Sequence, residues 1–238
     1  MDYTDYNNLP SLEDADGGFT NDDRARLFPD LIRLFSQEAY AGVYAFGLVH
    51  RHFELERGER MVTTAKIPHE EYITRPEKFP DNTIIADRWT ANGQAFEFSR
   101  LHAGQEAVPP PPQQLLATFR ELIGSRLERF LGIYLSPNHP DGQIYLDGPF
   151  NSEDREQIIL VQDSCSCSIY GAVSVCWAPR EGDSDTCAAC KVCIETDPNH
   201  KKIDTVRSMC RHSISYGLSD PDSCPLQNPR ARSKEVFK

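Results

Sequence analysis

The sequence predicts an α+β fold: an antiparallel sheet with two main helices packed on one face, followed by a cysteine-rich C-terminal segment. Three observations predict it. Asn92-Gly93 separates two strand-like runs, IIADRWTA and QAFEFSR. Leu115, Leu116, Phe119, Leu122, Ile123, Leu127, Phe130 and Leu131 recur at three- and four-residue steps, the spacing of a helix with one buried face. All eight cysteines fall after residue 164.

Taken in order, residues 1–19 are acidic and poor in aliphatic side chains, which predicts disorder. The main domain is expected over residues 20–178. Thr20 with Asp23 three positions later reads as a helix N-cap pairing. Pro29 fits a first helical turn, Leu31, Ile32, Leu34, Phe35 and Ala39 supply an apolar face, and Gly42 reads as the stop. Two β-like runs between Val43 and Ile67 flank Arg57-Gly58 and predict a hairpin. Residues 68–82, with Pro68, Pro76 and Pro80, read as a surface loop.

Asn-Gly favours a two-residue type I′ turn. That register sets Ala91 opposite Gln94, Trp89 opposite Phe96 on a buried face, and Arg88 opposite Glu97 on the other face. Pro109–Pro112 reads as a stiff spacer ahead of the second helix; the same run could serve as a ligand for an SH3 or WW module. Further strands are expected near 143–146, 157–162 and 169–177.

The net charge of −11 argues against nucleic acid as a partner, because such binding needs cations to displace counterions. Charge is uneven: residues 1–23 carry seven acids and no base, whereas residues 198–238 carry eight bases and four acids. The basic end reads as a solvated tail. The richest apolar run, Ala39–Val49, falls short of the ~20 residues that span a bilayer. The N-terminus lacks the basic and apolar regions of a signal peptide, so a cytoplasmic or nuclear location and reduced thiols are expected.

The tail, residues 179–238, holds a candidate metal set. Cys187 and Cys190 have the spacing with which a tight turn aims two thiolates at one zinc ion, and Cys210 and His212 would complete the tetrahedron. Cys193 and His200 are alternates. Iron–sulfur ligation lacks a fourth cysteine followed by proline at the expected spacing, and a redox pair lacks the strand-to-helix context.

A candidate catalytic face lies in GLVHRHFELERGER. If this stretch is a strand, period-2 alternation puts His50, His52, Glu54 and Glu56 on one side. Two imidazoles and a carboxylate, here His50, His52 and Glu56, are the donor set of a 2-His-1-carboxylate metal centre. The plainer reading is a solvent-facing polar strand. His50-x-His52-x3-Glu56 resembles part of the first cupin motif, although the glycines do not match its spacing and no second motif follows. HRHFELERGERMV, RWTANGQAFEF and the cysteine-bearing tail together resemble a family of fungal proteins of no established activity, over residues 43–200. That resemblance implies a lineage and keeps secondary-metabolite chemistry open, but assigns no catalytic residue.

No Gly-x-Ser-x-Gly elbow, P-loop, dinucleotide fingerprint or His-Glu-x-x-His is present. Two functions remain at this level. One is a binding or interaction protein with a protein or small-molecule partner and a structural zinc in its tail. The alternative is a small metal-dependent enzyme acting on a metabolite through the His-x-His face.

Overall fold

The computed structural model describes residues 1–66, 71–78, 83–101, 107–136, 143–151, 154–163, 172–180 and 183–194. Three helices lead the chain: α1 (Tyr3–Asn7), α2 (Leu12–Gly18) and α3 (Asn21–Phe35). Strands β1 (Tyr44–Leu48), β2 (Glu59–Lys66), β3 (Glu71–Lys78), β4 (Ile84–Thr90) and β5 (Ala95–Arg100) follow. After α4 (Gln113–Ile123) come β6 (Leu131–Leu135), β7 (Gln143–Asn151), β8 (Glu156–Asp163), β9 (Ala172–Arg180) and β10 (Asp183–Ile194).

These elements make an α+β protein in which the sheet curls into a closed barrel, ordered β1-β6-β4-β5-β2-β3-β8-β7-β10-β9. Closure comes from β1 meeting β9, with Phe46 opposite Trp177 and Gly47 opposite Cys176. The sheet is mixed, since β2 runs parallel to β5 and β7 parallel to β10. Among the described residues no helix is long and apolar enough to cross a membrane.

Strand alternation creates two cores, one outside the barrel and one inside. On β1, Tyr44, Phe46 and Leu48 point outward and join Leu31, Phe35, Leu115, Phe119, Ile123 and Trp177 in the larger cluster, beneath α2, α3 and α4. Phe28 and Phe46 lie 5.3 Å and 5.7 Å from the Trp177 ring centroid. Each such aromatic or aliphatic side chain stabilises by roughly 1.5–3 kcal/mol when fully buried. The opposite face of β1 contributes Ala45 to a second cluster with Tyr6, Val49, Met61, Phe96, Tyr134 and Cys176, which fills one end of the barrel interior. Gly47 is needed between the layers: a Cβ there would stand 2.5 Å from the Val175 carbonyl oxygen and 2.7 Å from the Tyr134 ring.

Several expectations hold locally. Thr20 and Asp23 form a reciprocal capping box at the start of α3. Leu115, Leu116, Phe119 and Ile123 are the buried face of α4, while Leu127 lies in the following turn and Leu131 opens β6. The expected strands at 143–146 and 157–162 fall within β7 and β8; of the one at 169–177, residues 172–177 lie in β9 and 169–171 lie outside the described residues.

The Asn92-Gly93 hairpin forms with a different turn. Gly93 donates to the Thr90 carbonyl (2.9 Å), Thr90 donates to the Gln94 carbonyl (3.0 Å), and Gly93 alone of the central residues has positive φ, +82°. This is a three-residue loop of type I geometry with glycine in the left-handed position. Trp89 therefore faces Ala95 in place of Phe96, and irregularities on both sides of Arg88 restore the expected Arg88–Glu97 pairing.

Other expectations are corrected. Residues 1–19 form α1 and α2, and their few apolar groups are buried, Tyr6 in the inner cluster and Ala15 and Phe19 in the outer one. Pro29 lies inside α3, the capping box having fixed the start eight residues earlier. The run 43–67 is no hairpin: β1 pairs with β6 and β9, while β2 pairs with β3 and β5. Of the expected loop at 68–82, residues 71–78 form a strand, β3, with Pro76 opposite Met61, and the others lie outside the described residues. The antiparallel expectation gives way to a mixed sheet. The boundary set at residue 178 cuts through paired strands, since β10 is hydrogen-bonded to β9 and β7.

Candidate functional site

The inner end of the barrel is built around charged and polar groups. β1 ends at Leu48, and residues 49–58 continue without strand pairing. Alternation on a strand therefore does not place His50 and His52; both turn inward, at 1% and 7% exposure. α1 lies beside this segment. The Asn7 side chain accepts from the Leu55 amide at 2.8 Å and donates to the Leu55 carbonyl at 2.9 Å, and Arg51 donates to the Asn7 carbonyl at 2.7 Å. Those contacts drive Tyr6 into the interior.

The bulged β4–β5 hairpin supplies the charged members. Glu97, 1% exposed, ion-pairs through Oε2 with Arg88 Nη1, and the Arg88 guanidinium lies over the Tyr134 ring at 5.1 Å. The other carboxylate oxygen, Oε1, accepts from the Tyr6 hydroxyl at 3.1 Å and faces His52 Nδ1 at 3.5 Å. The same Tyr6 oxygen accepts from the His52 backbone amide at 3.2 Å. Tyr134 donates its hydroxyl proton to the Leu48 carbonyl.

The two imidazoles form the far end of this chain. His50 Nδ1 lies 3.0 Å from the Leu48 carbonyl oxygen, so that nitrogen carries the proton. Burial, with His52 adding to it, pushes the His50 pKa down to about 3. His50 is thus neutral near pH 7, and its bare Nε2 accepts from His52 Nε2–H at 3.0 Å. Burial and the neighbouring Glu97 charge likewise raise the Tyr6 hydroxyl well above its ordinary value, keeping it a donor. Hydrogen bonds therefore link Glu97 to the Tyr6 hydroxyl, that oxygen to the His52 amide, and the His52 ring through His50 to the main chain, with Arg88 balancing the carboxylate. This network can hold one fixed pattern of donors and acceptors and resist proton uptake at the buried imidazole.

The expected catalytic trio separates. His50 and His52 meet each other, whereas Glu56 is exposed and pairs with Lys78 at 2.9 Å, and Glu54 gives its carbonyl to Arg155. Among the described residues, no three His, Cys, Asp or Glu side chains stand where they could share a metal ion. The solvent-facing reading of the histidines is corrected too, because the chain leaves the sheet before them. For the candidate zinc set, Cys187, Cys190 and Cys193 lie on β10, in strand backbone where a tight turn was expected. Cys210, His212 and His200 lie outside the described residues.

Sequence reasoning missed Tyr6, because its acidic surroundings read as disorder. It named Arg88 and Glu97 as a pair but gave them no function; their opposite charges at matched hairpin positions were the available signal.

A second polar layer lies deeper. Thr63 and Thr74 face one another across β2 and β3 with hydroxyl oxygens 2.8 Å apart, and Thr74 is opposite Gln157 of β8. Ser99, level with Thr63 on β5, donates to Asp87 at 2.5 Å. No protein-family model, curated protein or solved structure matches the chain.

Proposed function

We propose that the protein binds a small, partly polar molecule inside its barrel. The observation that supports this reading is the ionic network on the inner face: Arg88, Glu97, His52 and His50 are buried where a purely structural core would be aliphatic. Desolvating such groups is expensive, and replacing a buried ion pair with well-packed apolar side chains is commonly neutral or stabilising. A sequence that keeps these groups inside a closed sheet has a use for fixed polarity there. Strand number supports the same reading. Eight strands leave room for side chains or one small ligand, and this barrel has ten among the described residues. The histidine pair enters as part of the wall, orienting His52 toward Glu97.

The test is native mass spectrometry of the purified chain, before and after incubation with a small-molecule extract of its source cells. A noncovalent adduct of small-molecule mass, lost on denaturation, is the expected result. An adduct-free chain in both samples would refute the proposal.

A further inference from the structure

Gln157 is fully buried, and neither its amide oxygen nor its amide nitrogen has a hydrogen-bond partner among the described residues. Leaving a buried amide unpaired is costly, and native proteins seldom do so without cause. The strands fix where this side chain points. Glu156, its neighbour, reaches the outer surface and pairs with Arg75 at 2.9 Å, so Gln157 turns inward. Met61 and Thr63 share a face of β2, and Met61 belongs to the inner cluster. Thr63 meets Thr74, and Thr74 is opposite Gln157, so the three polar residues form one inward band. Two hydroxyls that bond each other use one proton between them, and the second O–H is left to donate elsewhere. Above the band lie Met61 and Pro76, and below it Tyr72 and Ile159, paired across their strands.

We infer that this band is the recognition subsite of the barrel and that it takes a carboxamide with a free N–H, such as a lactam or a primary amide. A Gln side chain offers a carbonyl acceptor and an N–H donor side by side. An amide whose own N–H and C=O lie on one edge matches it in a two-point pair, and the spare threonine hydroxyl can donate to the same ligand carbonyl. The apolar residues above and below fit the hydrocarbon part of such a molecule. This rests on the binding-barrel reading and adds the ligand's chemical class.

The test uses δ-valerolactam and its N-methyl derivative as probes, titrated by ligand-observed NMR against the full chain and against Gln157→Leu. The parent should bind the lactam at least tenfold more tightly than the N-methyl compound, which lacks the donor. Gln157→Leu should lose at least tenfold in lactam affinity while gaining thermal stability, since an unpaired amide is replaced by an apolar group. Should that variant not fold, Thr74→Val should weaken the lactam at least threefold, and the comparison of the two probes on the parent stands independently. Equal binding of both probes, or undiminished binding by Gln157→Leu, would overturn the amide assignment and leave the binding barrel intact. A parent that takes up neither probe but carries an adduct from cell extract would likewise overturn the amide assignment alone. Neither probe bound and no adduct would overturn both.

Discussion

Replacing Arg88 with methionine removes the cation from a pair whose side chains are 5% and 1% exposed. Glu97 would then be a buried carboxylate held by the Tyr6 hydroxyl and facing His52, with no guanidinium on Oε2. Breaking a buried pair from one side costs about 3–5 kcal/mol. The retained Tyr6 bond favours the lower end, and loss of the Arg88–Tyr134 ring contact adds to the cost. We expect Arg88→Met to lower the unfolding free energy by about 4 kcal/mol. Urea denaturation followed by tryptophan emission is the assay, Trp89 and Trp177 both being buried. Adding Glu97→Gln removes the stranded charge and keeps an acceptor for Tyr6. The double variant should therefore be more stable than the sum of the single losses by about 1–3 kcal/mol. A loss below about 1 kcal/mol for Arg88→Met, or strict additivity, would refute a dehydrated pair inside the barrel.

His50 predicts the acid behaviour. Its folded pKa of about 3 lies below its ordinary value of 6.5, so the unfolded chain takes up the proton first. Its contribution is complete above pH 6.5 and is lost at about 1.4 kcal/mol per pH unit as pH falls toward 3; His50→Gln should flatten that limb in urea titrations at several pH values. Thr20→Ala removes the capping-box acceptor and should cost about 1 kcal/mol by the same assay. Cys176 belongs to the inner cluster. In a variant with every other cysteine changed to serine, a bound ligand should slow its modification by methyl methanethiosulfonate at least several-fold, read by mass. The tail thiols give a separate outcome: a zinc held by Cys187, Cys190, Cys210 and His212 would appear as one ion per chain in metal analysis and vanish in the Cys187→Ser/Cys190→Ser variant.

The features legible in the sequence are those whose causes are local. The Thr20–Asp23 box, the α4 stripe and the Arg88–Glu97 pairing each depend on residues within about ten positions of one another. Closure is different. β1 reads as half of a hairpin, yet its partners are β6 and β9, and nothing near Tyr44–Leu48 names them. Because the sheet closes, both faces of β4 are covered, which is why Arg88 is interior when simple alternation gives it to solvent. Pro76 conceals β3, and acidic neighbours conceal Tyr6. His50 and His52 stand out by residue type, but their environment depends on β1 ending two residues earlier. Gln157 carries no sequence signal, since an amide on a strand means something only when the strand opposite and its burial are known.

The seam between β1 and β9 also constrains how the chain reaches its native state. β1 is made early, and neither of its partners exists until most of the chain has followed. Until β9 docks, Tyr44–Leu48 presents an unpaired edge with apolar side chains on both faces, the kind of surface that recruits foreign strands. Folds dominated by such distant pairings acquire their order slowly, on the scale of milliseconds to seconds. The α2–α3 segment precedes β1 and packs on its outer face. It can cover half of that exposed strand from the moment of synthesis, acting as an internal escort until the ring is complete.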